Sequence, residues 1–226
     1  MNKNDVFLIM KAIASDPFFK DYKVRKSDNV VINKTEWGWF RIEPDYYNTY
    51  DLNRKELALE IMPLYEIRFN VLHKWFEKYS KKKMDDQRDN CSIIVGGEDF
   101  GETNEFYFLE NRIDYENDLK KFVREVTTTS KKIFSRFASL EDYYNFYIAG
   151  VLEGKRNLPD EGFDWVIEYL IATRLVEPSS YGIVKNLVLK QIEFMKGRNN
   201  PNILLYYDEL PMILEDLEST DFNIDK

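Results

Sequence analysis

Two acidic residues and a neighbouring cation could hold a metal ion in this sequence. Asp45 follows Pro44, and Glu66 is followed by Ile67 and Arg68. This is the outline of a metal-dependent nuclease pattern, in which two acids on adjacent strands bind Mg²⁺ and a cation, normally lysine, contacts the phosphate. Here arginine takes the lysine position, and so short a pattern arises easily by chance in a chain with 40 acidic residues. The alternative is that these residues are solvated strand ends.

Cys91 and His73 are the chain's single cysteine and single histidine, and they could form the nucleophile and base of a cysteine hydrolase. That chemistry also needs an orienting group and an oxyanion hole, and no local signature surrounds Cys91. Cys91 begins an apolar strand, where a free cysteine usually serves as a small core residue. A structural zinc site needs four such ligands. We therefore expect no catalytic residue, metal or cofactor here.

A glycine-rich segment at residues 96–101 follows a predicted strand, as phosphate-binding loops do. It lacks the Gly-Lys-Ser/Thr ending of those loops, and its acidic residues would repel phosphate. The segment instead predicts a hairpin turn between strands at 91–95 and 105–109.

Two tryptophans could contact a partner. The two-residue period of a strand places Trp37, Trp39 and Arg41 on one face and Phe40 and Ile42 on the other. An exposed pair of indoles can stack on a base, a sugar or a partner's side chain. The alternative is that a helix covers both rings.

The acidity of the chain is concentrated near its end. Residues 201–226 carry seven acidic residues against one lysine, a net charge of -6 out of the chain's -8. Apolar residues at helical spacing run through the same segment, which predicts a folded acidic amphipathic helix. Such a face can steer a basic partner, or it can serve solubility alone. The acidic residues that we expect to contact a partner are Asp208, Glu209, Glu215, Asp216 and Glu218.

Nucleic acid and membranes are poor matches as partners. The lysines at residues 74–83 are followed by acidic residues, and the whole chain is negative, so we expect no nucleic-acid partner. No stretch approaches the roughly 18 to 20 apolar residues that cross a bilayer. The apolar N-terminus is short and is interrupted by Lys11, unlike a signal peptide. We expect a cytoplasmic protein without membrane association.

The periodicity predicts an α+β fold. It consists of an N-terminal helix, an antiparallel β-meander of about five strands with an inserted helix, and an all-helical C-terminal half. Pro201 starts the last helical stretch, which Pro211 should kink or split. The segments that carry this pattern are a helix at 4–15, strands within 30–32, 37–42, 57–61, 91–95 and 105–109, an inserted helix at 69–82, and helices beyond 114.

No linker rich in glycine, proline or serine separates the two halves. We predict an α+β sheet region at 1–113 and a helical region at 114–226 that packs on it. The two regions form either one domain or two closely abutted subdomains.

Part of the first half resembles uncharacterised bacterial α+β domains, some of which are similar to immunity proteins that neutralise toxins. The resemblance rests on residues 26–33, Trp37-Gly-Trp39, 57–63, 67–69 and the 72–76 helix start. It implies a non-enzymatic, partner-binding role and transfers no functional residues.

The favoured prediction is an intracellular, non-catalytic interaction protein, immunity-like in kind, whose acidic C-terminal helix binds a basic protein. The alternative is a metal-dependent phosphodiesterase or nuclease-like enzyme that acts through Asp45 and Glu66, with Arg68 as the phosphate-binding cation.

Overall fold

The computed structural model describes residues 3–51, 55–100, 106–109, 115–160 and 162–222. Contacts divide the chain into two compact units, each built from two separate stretches. Unit 1 comprises Met1–Phe69 and Cys91–Phe137, and unit 2 comprises Asn70–Asn90 and Ala138–Lys226. The predicted regions 1–113 and 114–226 follow secondary-structure content instead, and that division stays a prediction.

The elements follow one another along the chain as α1 (Lys3–Ala14), β1 (Lys23–Arg25), β2 (Val30–Lys34), β3 (Gly38–Asp51), β4 (Glu56–Phe69), α2 (Asn70–Lys74), α3 (Met84–Asp89), β5 (Ile93–Val95), β6 (Phe106–Leu109) and α4 (Tyr115–Arg136). They continue as α5 (Leu140–Tyr143), a π-helical turn (Tyr144–Ile148), α6 (Ala149–Leu152), α7 (Phe163–Val176), α8 (Tyr181–Gly197), α9 (Pro201–Leu204) and α10 (Leu210–Ser219). None of the helices in the described ranges is long and apolar enough to cross a membrane.

The predicted α+β class is confirmed. Unit 1 contains an antiparallel sheet of order β1-β2-β3-β4-β5, with β6 also paired to β4. The five predicted strands are present, and the three-residue β1 is the additional one. Alternation of apolar residues was sufficient to find the longer strands, because one sheet face is buried against helices.

The predicted hairpin between β5 and β6 is wrong. β5 pairs with residues 65–67 of β4, and β6 pairs with residues 58–61 of the same strand. Because β3 occupies the other edge of β4 along its whole length, β5 and β6 lie one after the other on the remaining edge. The glycine-rich segment thus connects two short strands that share a neighbour.

Helix α4 covers one face of the sheet. The ring of Phe134 lies 4.7 Å from that of Phe40 and 6.3 Å from that of Tyr65. The Thr127-Thr-Thr-Ser130 stretch does not interrupt this helix, although β-branched and hydroxyl residues weaken isolated helices. Burial of the apolar stripe therefore outweighs local propensity here.

Gly38 sits where the backbones of β3 and β4 leave no room for a side chain. A Cβ at this position would lie 1.6 Å from the carbonyl oxygen of Arg68. We expect Gly38→Ala to lower the free energy of unfolding by at least about 2 kcal/mol, because a strand must shift to accommodate the methyl group. Urea denaturation measures this effect. Gly182→Ala is the matched control: its Cβ meets nothing within 4 Å, and alanine favours an exposed helix. Equal stability of the two variants would contradict the close approach.

Unit 2 is helical in its described residues. Ser139 and Asp142 form the reciprocal capping box that begins α5, and the π-helical turn joins α5 to α6. Most of α7 is buried, and α8 packs along it. The predicted split at the last helical stretch is confirmed, since α9 begins at Pro201 and Pro211 lies in the first turn of α10.

Candidate functional site

The two predicted tryptophans lie on different sides of the sheet. Trp37 precedes β3, and its ring stacks on Phe69 at 5.2 Å and meets Phe40 edge-on at 5.1 Å. Trp39 is buried on the opposite face with Val30 and Ile32. The expectation of a shared face is wrong, because Trp37 belongs to the β2–β3 turn and does not follow the strand alternation. With Trp37 37% exposed and Trp39 6% exposed, the pair forms no stacking surface.

A buried ion pair occupies the Trp39 face. Arg41 and Glu66 are cross-strand neighbours, and Arg41 Nε donates to Glu66 Oε2. The guanidinium also reaches Glu43 at 3.1 Å and lies over the Trp39 ring at 4.7 Å. Arg41 and Glu66 are 5% and 4% exposed, so each charge depends on its protein partners rather than on water.

The sheet register separates the residues of the predicted metal pattern. Glu66 lies opposite Arg41, whereas Asp45 lies opposite Met62, four residues farther along β3. That spacing is about 13 Å along the strand, too far for one metal ion to bridge. Arg68 is buried opposite Trp39. Within the described residues no group of three or more His, Cys, Asp or Glu side chains could hold a metal ion.

The single cysteine and the single histidine each lie beside a different acid. The Cys91 thiol is 3.9 Å from Glu66 Oε1. In unit 2, His73 Nδ1 lies 3.2 Å from Glu168 Oε1. Both members of the His73–Glu168 pair are buried, at 6% and 3% exposure.

A carboxylate that is hydrogen-bonded to an imidazole is an arrangement used in acid–base catalysis. The His73–Glu168 pair has no space beside it for a substrate. The cleft that contains His73, Glu168 and Asp164 has about 10 Å³ of free volume, room for roughly one water molecule. At its edge Lys82 binds Asp164 at 2.6 Å. Burial raises the pKa of the Tyr143 hydroxyl well above its ordinary value, and the nearby Glu168 carboxylate adds to the increase. We therefore infer that the His73–Glu168 pair stabilises the interior of unit 2.

Lysines of unit 2 bind three of the five acidic residues predicted to contact a partner. Lys78 pairs with Asp216, and the Tyr79 hydroxyl donates to the same carboxylate at 2.6 Å. These two hydrogen bonds lower the pKa of Asp216, whereas partial burial and the neighbouring carboxylate raise the pKa of Tyr79 to about 12. Asp216 thus helps to hold α10 in place.

The other two pairs act in the same way. Lys81 binds Glu209 at 2.7 Å, and Lys185 pairs with Glu218. The hydrogen bond from Lys185 lowers the pKa of Glu218. The two remaining acidic residues, Asp208 and Glu215, are exposed, and neither belongs to an ion pair of the described residues.

One edge of β3 is open over part of its length. β3 pairs with β4 over its whole length, whereas β2 reaches only as far as Ile42. No strand in the described ranges pairs with the remainder of that edge, residues 43–51. Within it Tyr47 and Tyr50 are 46% and 51% exposed, and Asp45 and Asn48 are also exposed.

The direction of the backbone groups at this edge follows from the sheet. In an antiparallel strand each residue points both its N–H and its C=O to one side, and successive residues alternate. The Gly38 carbonyl accepts from the N–H of Thr35, which follows β2 directly, so the backbone groups of Gly38 face the β2 side of β3. The N–H and C=O groups of the other even-numbered residues of β3 therefore also point away from β4. The β3–β4 register runs without a bulge to Asp51.

It follows that Tyr46, Asn48 and Tyr50 point their N–H and C=O groups out of the open edge. Pro44, which has no N–H, occupies the first outward position and lies opposite Pro63. A row of outward backbone groups is the surface to which a further strand can pair.

Sequence reasoning missed the open edge and the His73–Glu168 pair, although each left a signal. The predicted alternation stopped at Ile42, but strand-forming residues continue beyond Pro44 through Tyr46 to Tyr50. Asp164 and Glu168 are acidic residues at helical spacing inside the largely apolar α7.

No protein-family model matches this chain, and no curated protein or solved structure was found to be similar to it.

Proposed function

We propose that this chain is a non-catalytic interaction protein that binds a basic protein by adding an extended segment of that partner to the open edge of β3. The single observation that carries the proposal is the outward row of backbone groups at Tyr46, Asn48 and Tyr50, next to exposed tyrosine side chains. Backbone hydrogen bonds would supply affinity in this mode, and side chains on alternate faces would supply specificity.

The charge of the edge favours a basic partner. Residues 43–51 contain three acidic residues and no lysine or arginine. Proteins often protect an open edge with lysine, and this edge lacks that protection. A second copy would bring the same acidic residues to the contact, whereas lysine or arginine in the partner strand would face Asp45.

The resemblance to immunity-like domains belongs to the same proposal, because such proteins act by occupying a partner. Asp208 and Glu215 remain residues that would attract a basic protein, since no ion pair of the described residues uses them. The proposed compartment is the cytoplasm, where a protein with a single cysteine needs no disulfide.

A strand-forming peptide of alternating lysine and valine tests the proposal. We expect it to shift the amide NMR signals of Tyr46, Asn48 and Tyr50, and we expect a peptide of alternating glutamate and valine to leave them unchanged. Asn48→Pro removes an outward N–H at a position where an edge strand tolerates proline, and it should weaken lysine–valine binding at least tenfold.

Asn48→Thr is the matched control, because threonine keeps the N–H and favours strands. It should bind the lysine–valine peptide like the unmodified chain. Thermal unfolding of both variants checks that the sheet is intact. Equal binding of the two peptides, or undiminished binding by a folded Asn48→Pro variant, would exclude strand addition at this edge.

A further inference from the structure

A groove lies between α1 and α4 of unit 1, apart from the open edge of β3. It has a volume of about 610 Å³. Sites for small molecules commonly have volumes of about 300–1,000 Å³. Ala12 of α1 and Leu119 and Val123 of α4 give the groove apolar walls. The space is therefore suited to a small molecule with an apolar part.

Three cations line the groove along one side of α4. Lys120, Arg124 and Lys131 lie within about 40° of one another around the helix axis, because α-helical residues advance by about 100° each. Asp16 is the acidic residue in the lining, so the lining residues carry a net charge of +2. In the described part of the chain neither Lys120 nor Arg124 has an ion-pair partner.

A buried hydroxyl also lines the groove. Thr127 is 6% exposed, and its Oγ1 has no hydrogen-bond partner among the residues that the structure describes. A buried hydroxyl that has lost water without gaining a partner is destabilising, so it needs a specific explanation. Thr127 lies one turn from Arg124 on the same helix. The hydroxyl itself is enclosed, so it would reach a ligand oxygen bound by Arg124 only after the Thr127 side chain turns to another rotamer.

We propose that this groove binds a small organic phosphate, with the phosphate at Lys120, Arg124 and Thr127 and an apolar body against Leu119 and Val123. A phosphate monoester carries close to two negative charges, which matches the net charge of the lining. Arginine binds phosphate oxygens through paired hydrogen bonds. The apolar walls distinguish such an ester from a free inorganic ion.

Phenyl phosphate is the probe, with inorganic phosphate and phenol as its separate anionic and apolar parts. Isothermal titration of the full chain should show saturable binding of phenyl phosphate, weaker binding of inorganic phosphate and no binding of phenol. Added salt should weaken the binding. No saturable binding of phenyl phosphate would overturn the proposal, and equal affinity for inorganic phosphate would overturn its apolar part.

Variants of the lining locate the binding. Arg124→Gln should weaken phenyl phosphate binding about tenfold or more, and Arg124→Lys should restore part of it. Thr127→Val should weaken the binding of phenyl phosphate severalfold. It should leave Tm unchanged or raise it, because it removes a buried hydroxyl that lacks a hydrogen-bond partner among the described residues. Lys190→Gln, on α8 of unit 2, removes one exposed cation elsewhere and should not change the affinity. If Lys190→Gln and Arg124→Gln lost equal affinity for phenyl phosphate, the binding would reflect general charge attraction, and the proposed site would be wrong.

Discussion

Replacing Arg41 with methionine is expected to lower the free energy of unfolding by about 3–5 kcal/mol. The substitution preserves much of the side-chain volume but removes the guanidinium from Glu66, whose carboxylate is 4% exposed. A buried charge that loses its partner keeps its full desolvation cost. Urea denaturation of the full chain, followed by the fluorescence of Trp39 and the other tryptophans, measures the loss.

Two further variants separate the buried charge from other effects. Glu43 is the more exposed partner of Arg41, since the Glu43 side chain is 41% exposed. Glu43→Gln should therefore lower the free energy of unfolding by less than about 1 kcal/mol. The double variant Arg41→Met/Glu66→Met should recover most of the stability, because it removes both charges. If Arg41→Met costs no more than Glu43→Gln, the Arg41–Glu66 pair has no such structural role.

Replacing His73 with leucine is expected to lower the free energy of unfolding by about 3 kcal/mol. The change removes the imidazole 3.2 Å from Glu168, and it leaves that acid buried on α7 without its ring partner. The expected effect is on the free energy of unfolding, since the cleft beside His73 and Glu168 has room for about one water molecule. Urea denaturation and native-state hydrogen exchange in α7 measure it.

His73→Asn is the informative comparison. An asparagine amide can occupy the place of Nδ1 and donate to Glu168, so this variant should lose about half as much stability as His73→Leu. Lys74→Ala, on the exposed neighbour, should lie within about 0.5 kcal/mol of the unmodified chain. Similar losses in the leucine and asparagine variants would show that the hydrogen bond to Glu168 is unimportant.

Local patterns were sufficient for most elements of this fold, but not for their pairing. The period of two found parts of β3 and β4, and the prolines found the division before α10. The neighbours of β5 and β6 depend on which edge of β4 is already occupied, which no local pattern encodes. Trp37 was misplaced for a related reason, since strand alternation ends where the β2–β3 turn begins.

The candidate sites were harder to predict, because charge in a sequence does not show where the charge is neutralised. Composition located the acidic C-terminal segment correctly, yet Asp216, Glu209 and Glu218 bind lysines far away in the sequence. The Arg41–Glu66 pair likewise depends on a register between two strands. Exposure and partners decide whether an acidic residue can serve a binding role, and both are properties of the folded chain.

The interleaved make-up of the two units has a consequence for biosynthesis. Residues 70–90 of unit 2 leave the ribosome before residues 91–137, which complete unit 1. At about 5–20 residues per second, their helical partners from residue 138 onward begin to follow only after roughly 2–10 s. During that delay Leu72 and Phe76, which are buried in the finished protein, have no α7 to pack against. The nascent chain therefore exposes an apolar segment that a chaperone could bind until translation reaches α7.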